Sequence, residues 1–431
     1  MRVPSLQLKL TASKRAQLVF ALGTWMRPFV GVLGGIVTIH YLSPTQVGIL
    51  NTAALAPPFL AFLQLGVISG VNRDLPFLRG SGNERGADAL QENAIAAANL
   101  IAVAGFLLCA VIAAAAWFTS DTPSLALALA CTCILVGAAP ISLLVDSILR
   151  GRQRFADLGP LLIAHNVANI AALVLIPFLG FLGGVLRPAV DGLAGIVLRL
   201  RKVRWVFRLN PDKAACVSLA RSGFPLMVSA SLFGLLAVSD RTVVAFLRSP
   251  AEVGQLALAT VLVNGLSTLP QSLSLLLFPR IAKDYGAHRD PSRLRRYVWL
   301  SLAANLAMLI PGSLLGWLLL EWVVPTYFPA YSPGLPAARV ACAAGCLWVY
   351  IGVGSVLGVL QRMPWYLASM ALSLGIVWAL GAFALKSGWG IDSAVWARAA
   401  GTTLHGAFTV AYALFVTRAA PGAPAPVAAS K

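Results

Sequence analysis

Five arginines of this sequence stand inside long apolar runs: Arg27, Arg187, Arg241, Arg339 and Arg398. Three carboxylates share that setting, Asp146, Asp191 and Asp240. An arginine at the centre of a membrane helix costs at least about 2.5–3.5 kcal/mol, so such residues face a protein interior or a wet cavity unless they reach the headgroups. Guanidinium forks match phosphate oxygens two at a time, and a cavity with more arginines than acids attracts anions. Arg27, Arg241, Arg339 and Arg398 are therefore the candidate substrate-binding residues. Arg27 is the deepest, about 15 Å into its run at 1.5 Å per residue. Pro28 follows it directly and is the expected hinge of that helix. Arg187 precedes Asp191 by one helical turn, which predicts a pair along one face, and Asp146 has Arg150 one turn on. Asp240 and Arg241 are adjacent and need separate partners. A buried carboxylate could carry a coupling ion, so Asp240, Asp146 and Asp191 are the candidates for ion coupling. His165 and His405, in apolar runs, read as satisfied core histidines.

Nothing in the chain has the spacing of a catalytic machine. It has no phosphate-cradling glycine loop with Lys-Ser/Thr, no His-Glu-x-x-His and no acid cluster facing a hydroxyl nucleophile. The six cysteines have no metal-ligand spacing; Cys131 and Cys133, like Cys342 and Cys346, fall in apolar runs and read as small core residues. Transport is expected rather than catalysis, with no cofactor and no bound metal.

The elements that hold these residues follow from composition. Hydrophobic residues make up 58% of the 431, charged residues 11%, and the formal net charge is +18. That balance belongs to a polytopic membrane protein. About 20 apolar residues cross the hydrocarbon core, which predicts twelve spans: 17–42, 46–71, 93–118, 124–148, 158–179, 181–200, 219–247, 253–278, 297–320, 335–360, 365–385 and 393–417. Lys and Arg outside them gather on alternate loops, the opposite loops holding only Arg248 and Lys386. The positive charge therefore reads as a membrane-orientation signal that sets both termini in the cytoplasm, not as a nucleic-acid surface. Cytoplasmic ATPase machinery is absent from the chain.

Ser43-Pro44-Thr45-Gln46-Val47-Gly48 returns as Ser249-Pro250-Ala251-Glu252-Val253-Gly254. At nearly the same displacement, Ser147-Ile148-Leu149 with Gln153-Arg154 returns as Ser355-Val356-Leu357 with Gln361-Arg362. Two matches at one displacement of about half the chain indicate a duplicated unit. The expected architecture is an all-α integral membrane protein of two six-helix lobes, 1–204 and 205–418. Because six spans is an even number, the lobes should be related by a pseudo-twofold axis along the membrane normal, with a substrate path between them. Residues 419–431, rich in Pro, Ala and Gly, are expected to be a disordered cytoplasmic tail.

Several of these stretches resemble bacterial polysaccharide flippases of the O-antigen (Wzx) type, in the multidrug/oligosaccharidyl-lipid/polysaccharide exporter superfamily. They are Leu42 to Gly48 with Asn72-Arg73-Asp74-Leu75-Pro76, then Ser222-Gly223-Phe224-Pro225-Leu226, Ser239-Asp240-Arg241 and Leu277-Phe278-Pro279-Arg280. The basic turn Leu149-Arg150-Gly151-Arg152-Gln153-Arg154-Phe155 also resembles theirs. The resemblance implies an inner-membrane protein that moves undecaprenyl-diphosphate-linked oligosaccharide to the periplasmic leaflet by alternating access, for surface polysaccharide assembly. It implies a diphosphate held in a cationic cavity, and a polysaccharide polymerase and other assembly proteins as partners. Two alternatives stand beside it: a secondary exporter of soluble compounds, and a membrane glycosyltransferase or ligase using a polyprenyl-linked sugar. The second would need a large outer loop with catalytic residues, and 321–334 offers only Glu321.

Overall fold

The computed structural model describes residues 12–119 and 123–418; the tail 419–431, expected to be disordered, lies outside the described residues. The described chain is all-helical, with no strand among the described residues. Twelve helices are long and apolar enough to cross a membrane: Arg15–Tyr41, Pro44–Gln64, Glu84–Thr119, Pro123–Gly151, Phe155–Leu179, Phe181–Leu200, Lys213–Leu247, Pro250–Ser274, Pro291–Tyr327, Pro329–Val359, Met363–Lys386 and Asp392–Val416. They are spans 1 to 12 below. Each corresponds to one of the twelve runs expected from hydropathy. The short link between spans 5 and 6 is a turn at Gly180, whose φ of 56° suits glycine alone.

Two runs that read as continuous are interrupted. Span 2 stops at Leu65 and Gly66, both left-handed at φ 46° and 87°, and a further helix, Val67–Gly80, follows. Span 10 loosens into a tighter helix at Ala344–Tyr350 and breaks at Ile351 and Gly352, where φ reaches 99°, before Val353–Val359. A break inside the bilayer frees backbone carbonyls that lipid cannot satisfy. Span 9 supplies the donors. Asn305 Nδ2 donates to the Val349 and Ile351 carbonyls at 2.8 and 2.7 Å, and Ser301 Oγ donates to Ile351 at 3.3 Å.

The chain divides into two compact units. One contains residues up to 37 together with 56–228; the other contains 38–55 together with 229 onward. In the first, Gly66 and Gly70 press against the backbone of Leu219, Gly223 and Phe224, so closely that no side chain would fit. In the second, the two copies of the Ser-Pro turn pack on each other. Gly48 lies against the Pro250 carbonyl, and Gly254 lies reciprocally against the Pro44 carbonyl.

The duplication is visible in local conformation. Ser43 and Ser249 each close a reciprocal capping box with the residue three later, at φ/ψ of −70°/158° and −71°/156°. Gln153 and Gln361 both turn left-handed, at φ 54° and 55°. The same pair of backbone bonds closes each turn: Gln153 to Arg150 and Arg154 to Leu149, then Gln361 to Gly358 and Arg362 to Leu357.

Candidate anion and ion sites within the spans

In the second unit, three of the expected residues come together. Asp240 and Arg241 lie on span 7 and Arg398 lies on span 12. Arg398 Nη1 stands 3.4 Å from Asp240 Oδ2, with Asp240 1% and Arg398 3% exposed. Asp240 Oδ1 is occupied by the N–H of Arg241 at 2.9 Å. The Arg241 guanidinium feels the charges of both Asp240 and Arg398. Arg398 thus pairs with Asp240, whereas the Arg241 guanidinium lies near the same carboxylate without an ion pair to it, and Arg241 Nε is buried without a hydrogen-bond partner. The cluster carries one uncompensated positive charge, a condition that favours an anion.

Span 12 continues the polar face along its length. Arg398, Thr402, His405 and Thr409 are all buried and recur at helical spacing on one side. His405 Nδ1 meets Ser369 Oγ at 2.9 Å, and its ring packs edge-on against Tyr350 and Tyr366. Its Nε2 and the Tyr350 hydroxyl have no hydrogen-bond partner. His405 is therefore a core histidine satisfied on one side only. Arg339 is placed apart from this cluster, paired with Glu321 at 2.6 Å where both side chains reach the surface.

The first unit holds a second chain of charge. The expectation that Asp146 would meet Arg150 is corrected. Arg150 Nε donates only to the Asp146 backbone carbonyl, while the Asp146 carboxylate takes both prongs of Arg199, at 2.9 and 3.0 Å. Arg199, counted from sequence with the basic link between spans 6 and 7 although it stands at the very end of the 181–200 run, lies in the last turn of span 6 and is 2% exposed. Its Nη1 reaches His165 Nδ1 at 3.4 Å, and His165 Nε2 reaches Asp191 Oδ1 at 2.7 Å. Asn169 donates to the same Asp191 oxygen at 2.6 Å. His165 is thus a link between two charged groups, not an isolated core residue. Gly195, between Asp191 and Arg199, leaves the room: a side chain there would meet Ser142 and the His165 ring.

The expected Arg187–Asp191 pair is corrected: Arg187 feels the charge of Asp191 but makes no ion pair with it, because its guanidinium lies over Gly34 of span 1 and His165 and Asn169 take the Asp191 carboxylate. Arg27 is exposed on span 1, with its charge felt at Asp191. The helix runs through Pro28 without interruption; proline there leaves the Thr24 carbonyl without its intrahelical donor. Of the two residues that sequence reading passed over, Arg199 and Asn169, the first did leave a signal. Arg187, Asp191, Gly195 and Arg199 repeat every four residues, a polar and small stripe down one face of span 6. Among the described residues, no group of His, Cys, Asp and Glu could hold a metal ion.

These features define a multi-pass membrane protein with charged clusters buried in its spans. No protein-family model matches the sequence, and no curated protein matches it. Solved structures do match in fold. An inward-facing multidrug resistance MATE family transporter of the MOP superfamily superposes with a TM-score of 0.70 at 10% identity, over 94% of this chain and 98% of that one. The lipid II flippase MurJ, in an inward closed conformation, gives 0.69 at 14% identity, over 93% and 88%. MATE in complex with MaL6 gives 0.67 at 12% identity, over 97% and 99%. The chain has the fold these transporters and this flippase share.

Proposed function

We propose that this protein is a flippase for a polyprenyl-diphosphate-linked oligosaccharide, moving it from the cytoplasmic to the periplasmic leaflet of a bacterial inner membrane by alternating access. The two halves, 1–204 and 205–418, act as the duplicated transport units, with both termini cytoplasmic. The observation that carries this reading is the charge imbalance within the spans: two guanidiniums, Arg241 and Arg398, lie near one carboxylate, Asp240, and Arg27, exposed at mid-span, has no ion pair among the described residues. Arg241, with its unpartnered Nε, and Arg27 are the residues that would grip the diphosphate. Arg398 holds Asp240 in place, and Arg339 lies at the outer end of the route with Glu321 as its resting partner. The fold is shared with a multidrug transporter as well as a lipid II flippase. An excess of buried guanidinium favours an anionic headgroup over a cationic drug.

Asp240 and Asp146 are each held by a guanidinium, which makes either a poor proton carrier. Asp191 faces His165 and Asn169 instead, so we assign any coupling proton to the Asp191–His165 pair. The test is genetic and chemical. Arg241→Ala and Arg27→Ala should accumulate lipid-linked repeat units inside the cell at normal protein level, and Arg27→Lys separates charge from fork geometry. Full surface polysaccharide in both alanine variants would remove these residues from the site.

A further inference from the structure

A second feature lies outside the spans. In the first unit, a cleft of about 760 Å³ opens between the start of span 3, the turn after span 4 and the linker after span 6. Six cations line it: Arg152, Arg154, Arg201, Lys202, Arg204 and Arg208. The acids on its wall are Asp88 and Glu92. Asp88 is shared by Arg79 and Arg152, and Asp157 nearby takes Arg154 and Lys202. Arg201, Arg204 and Arg208 have no ion pair among the described residues. Arg152 Nε is buried with no hydrogen-bond partner. Burial, with the like charges of Arg79 and Arg154 beside it, pulls the Arg152 guanidinium below its ordinary value. An anion would relieve that crowding.

The linker is built to hold this cleft open. From Arg204 to Leu209 it runs without helix or turn, and alternate residues Arg204, Val206 and Arg208 line the cleft. Asn99 of span 3, fully buried, fixes the strip at three points. Its Nδ2 donates to the Val206 and Arg208 carbonyls at 3.1 Å each, and its Oδ1 accepts from Trp205 Nε1 at 3.0 Å. Phe207 and Leu209, on the other face of the strip, are exposed at 66% and 45%.

Depth decides what those two side chains touch. The span 3 helix is 36 residues long, Glu84–Thr119, about 54 Å at 1.5 Å per residue. A hydrocarbon core of about 30 Å takes some 20 of them. Counted back from Thr119, the core ends near Leu100, and the expected run 93–118 ends it at Asn93, so Asn99 and the strip it holds fall at the edge of the membrane rather than in bulk water. Exposed aromatic and aliphatic side chains beside arginines at that level suit lipid, not bulk water.

We propose that this cleft binds the phosphate-bearing headgroup of a membrane lipid, with Arg201, Arg204 and Arg208 on the phosphate and Phe207 and Leu209 among the acyl chains. The lipid is either a resident anionic phospholipid or the diphosphate-linked cargo on first capture; only the second rests on the transport reading above. The experiment titrates the purified full chain in neutral detergent with dioctanoyl phosphatidylglycerol, farnesyl diphosphate, dioctanoylglycerol and inorganic pyrophosphate. Arg201→Gln/Arg204→Gln/Arg208→Gln should weaken both phosphate-bearing lipids by about fivefold per arginine, on the order of 100-fold together. A control, Arg289→Gln/Arg293→Gln/Arg295→Gln in the second unit, should weaken them by less than about twofold. Phe207→Ser/Leu209→Ser should weaken the lipids and leave pyrophosphate unchanged. Whichever phosphate-bearing lipid binds tighter identifies the source. Equal losses in both arginine triples, no loss in the first, or pyrophosphate binding as tightly as the lipids would overturn the site. Binding is read without transport, so failure here leaves the flippase reading standing, and a failed flippase reading leaves phosphatidylglycerol as the ligand.

Discussion

Asp240 is where the buried charge of the second unit is most exposed to a single change. Asp240→Asn keeps the oxygen that accepts the Arg241 N–H and removes the charge 3.4 Å from Arg398. At that distance and an effective dielectric of about 20, the gross attraction is about 5 kcal/mol. Desolvation of the two groups cancels most of it, so the net worth of the intact pair is small, but stripping one partner strands the other and costs about 3–5 kcal/mol. Here the variant strands Arg398 and also takes from Arg241 the one carboxylate charge it feels. The Asp240 oxygen facing Arg398 makes no aligned hydrogen bond, which points to the lower half of that range. Arg398→Met should behave differently, because Arg241 remains beside Asp240 and the cluster becomes neutral; the expected cost is about 1–2 kcal/mol. The double variant no longer strands Arg398 but still deprives Arg241 of Asp240, so it should lose more than Arg398→Met and less than the two single losses together, giving a coupling of about 2 kcal/mol. The assay is the unfolding midpoint of the detergent-purified protein across the four members of the cycle. Equal losses from the two single changes, or losses that simply add, would refute the picture of an Arg398–Asp240 pair beside an unpaired Arg241.

Arg199→Ala should destabilise by about 3–5 kcal/mol, since it leaves the Asp146 carboxylate half-buried without its fork; Asp146→Leu/Arg199→Met should recover most of that in the same unfolding assay. Asn305→Leu removes two of the three hydrogen bonds that span 9 donates to the broken stretch of span 10, and the unfolding midpoint should report about 2 kcal/mol. Gly48→Ala and Gly254→Ala place a methyl against a facing carbonyl and should each cost at least about 1–3 kcal/mol. Gly234→Ala, in mid-helix with nothing near its new methyl, should be neutral or stabilising by up to about 1 kcal/mol, measured beside them.

The twelve spans were legible because a run of about 20 apolar residues has few other uses, and the duplication was legible because its two signatures lie at constrained turns. Ser43 and Ser249 must be extended caps, and Gln153 and Gln361 must turn left-handed, so their neighbourhoods kept recognisable letters. The breaks in spans 2 and 10 left almost no trace, since Leu65-Gly66 and Ile351-Gly352 continue apolar runs. What permits the second break is Asn305, far away in the chain, and hydropathy says nothing about such a partner. The pairings escaped for the same reason. Helical spacing reports neighbours along one helix, which is why Arg150 stood as the partner of Asp146, whereas Arg199 reaches it from another span. Arg199 itself counts among many loop arginines because it stands at the very end of its run.

The arginines of the spans sort into two kinds once their partners are known. Arg199 and Arg398 are almost fully buried and spend their charge on Asp146 and Asp240. Such pairs hold helices at fixed distance and contribute little net attraction for a passing anion. Arg27 and Arg241 are different: one is exposed at mid-span and the other keeps a buried donor unused beside a carboxylate already paired with Arg398. A charge that evolution had retained only for packing would be expected to end in a full complement of hydrogen bonds, because an orphaned buried donor costs about 1–3 kcal/mol. Arg241 does not. Arg79, Arg152 and Arg339 leave the same nitrogen unused although each has an ion pair, so what sets Arg241 apart is that its guanidinium has none among the described residues, and on that ground we propose it as a binding residue rather than a strut.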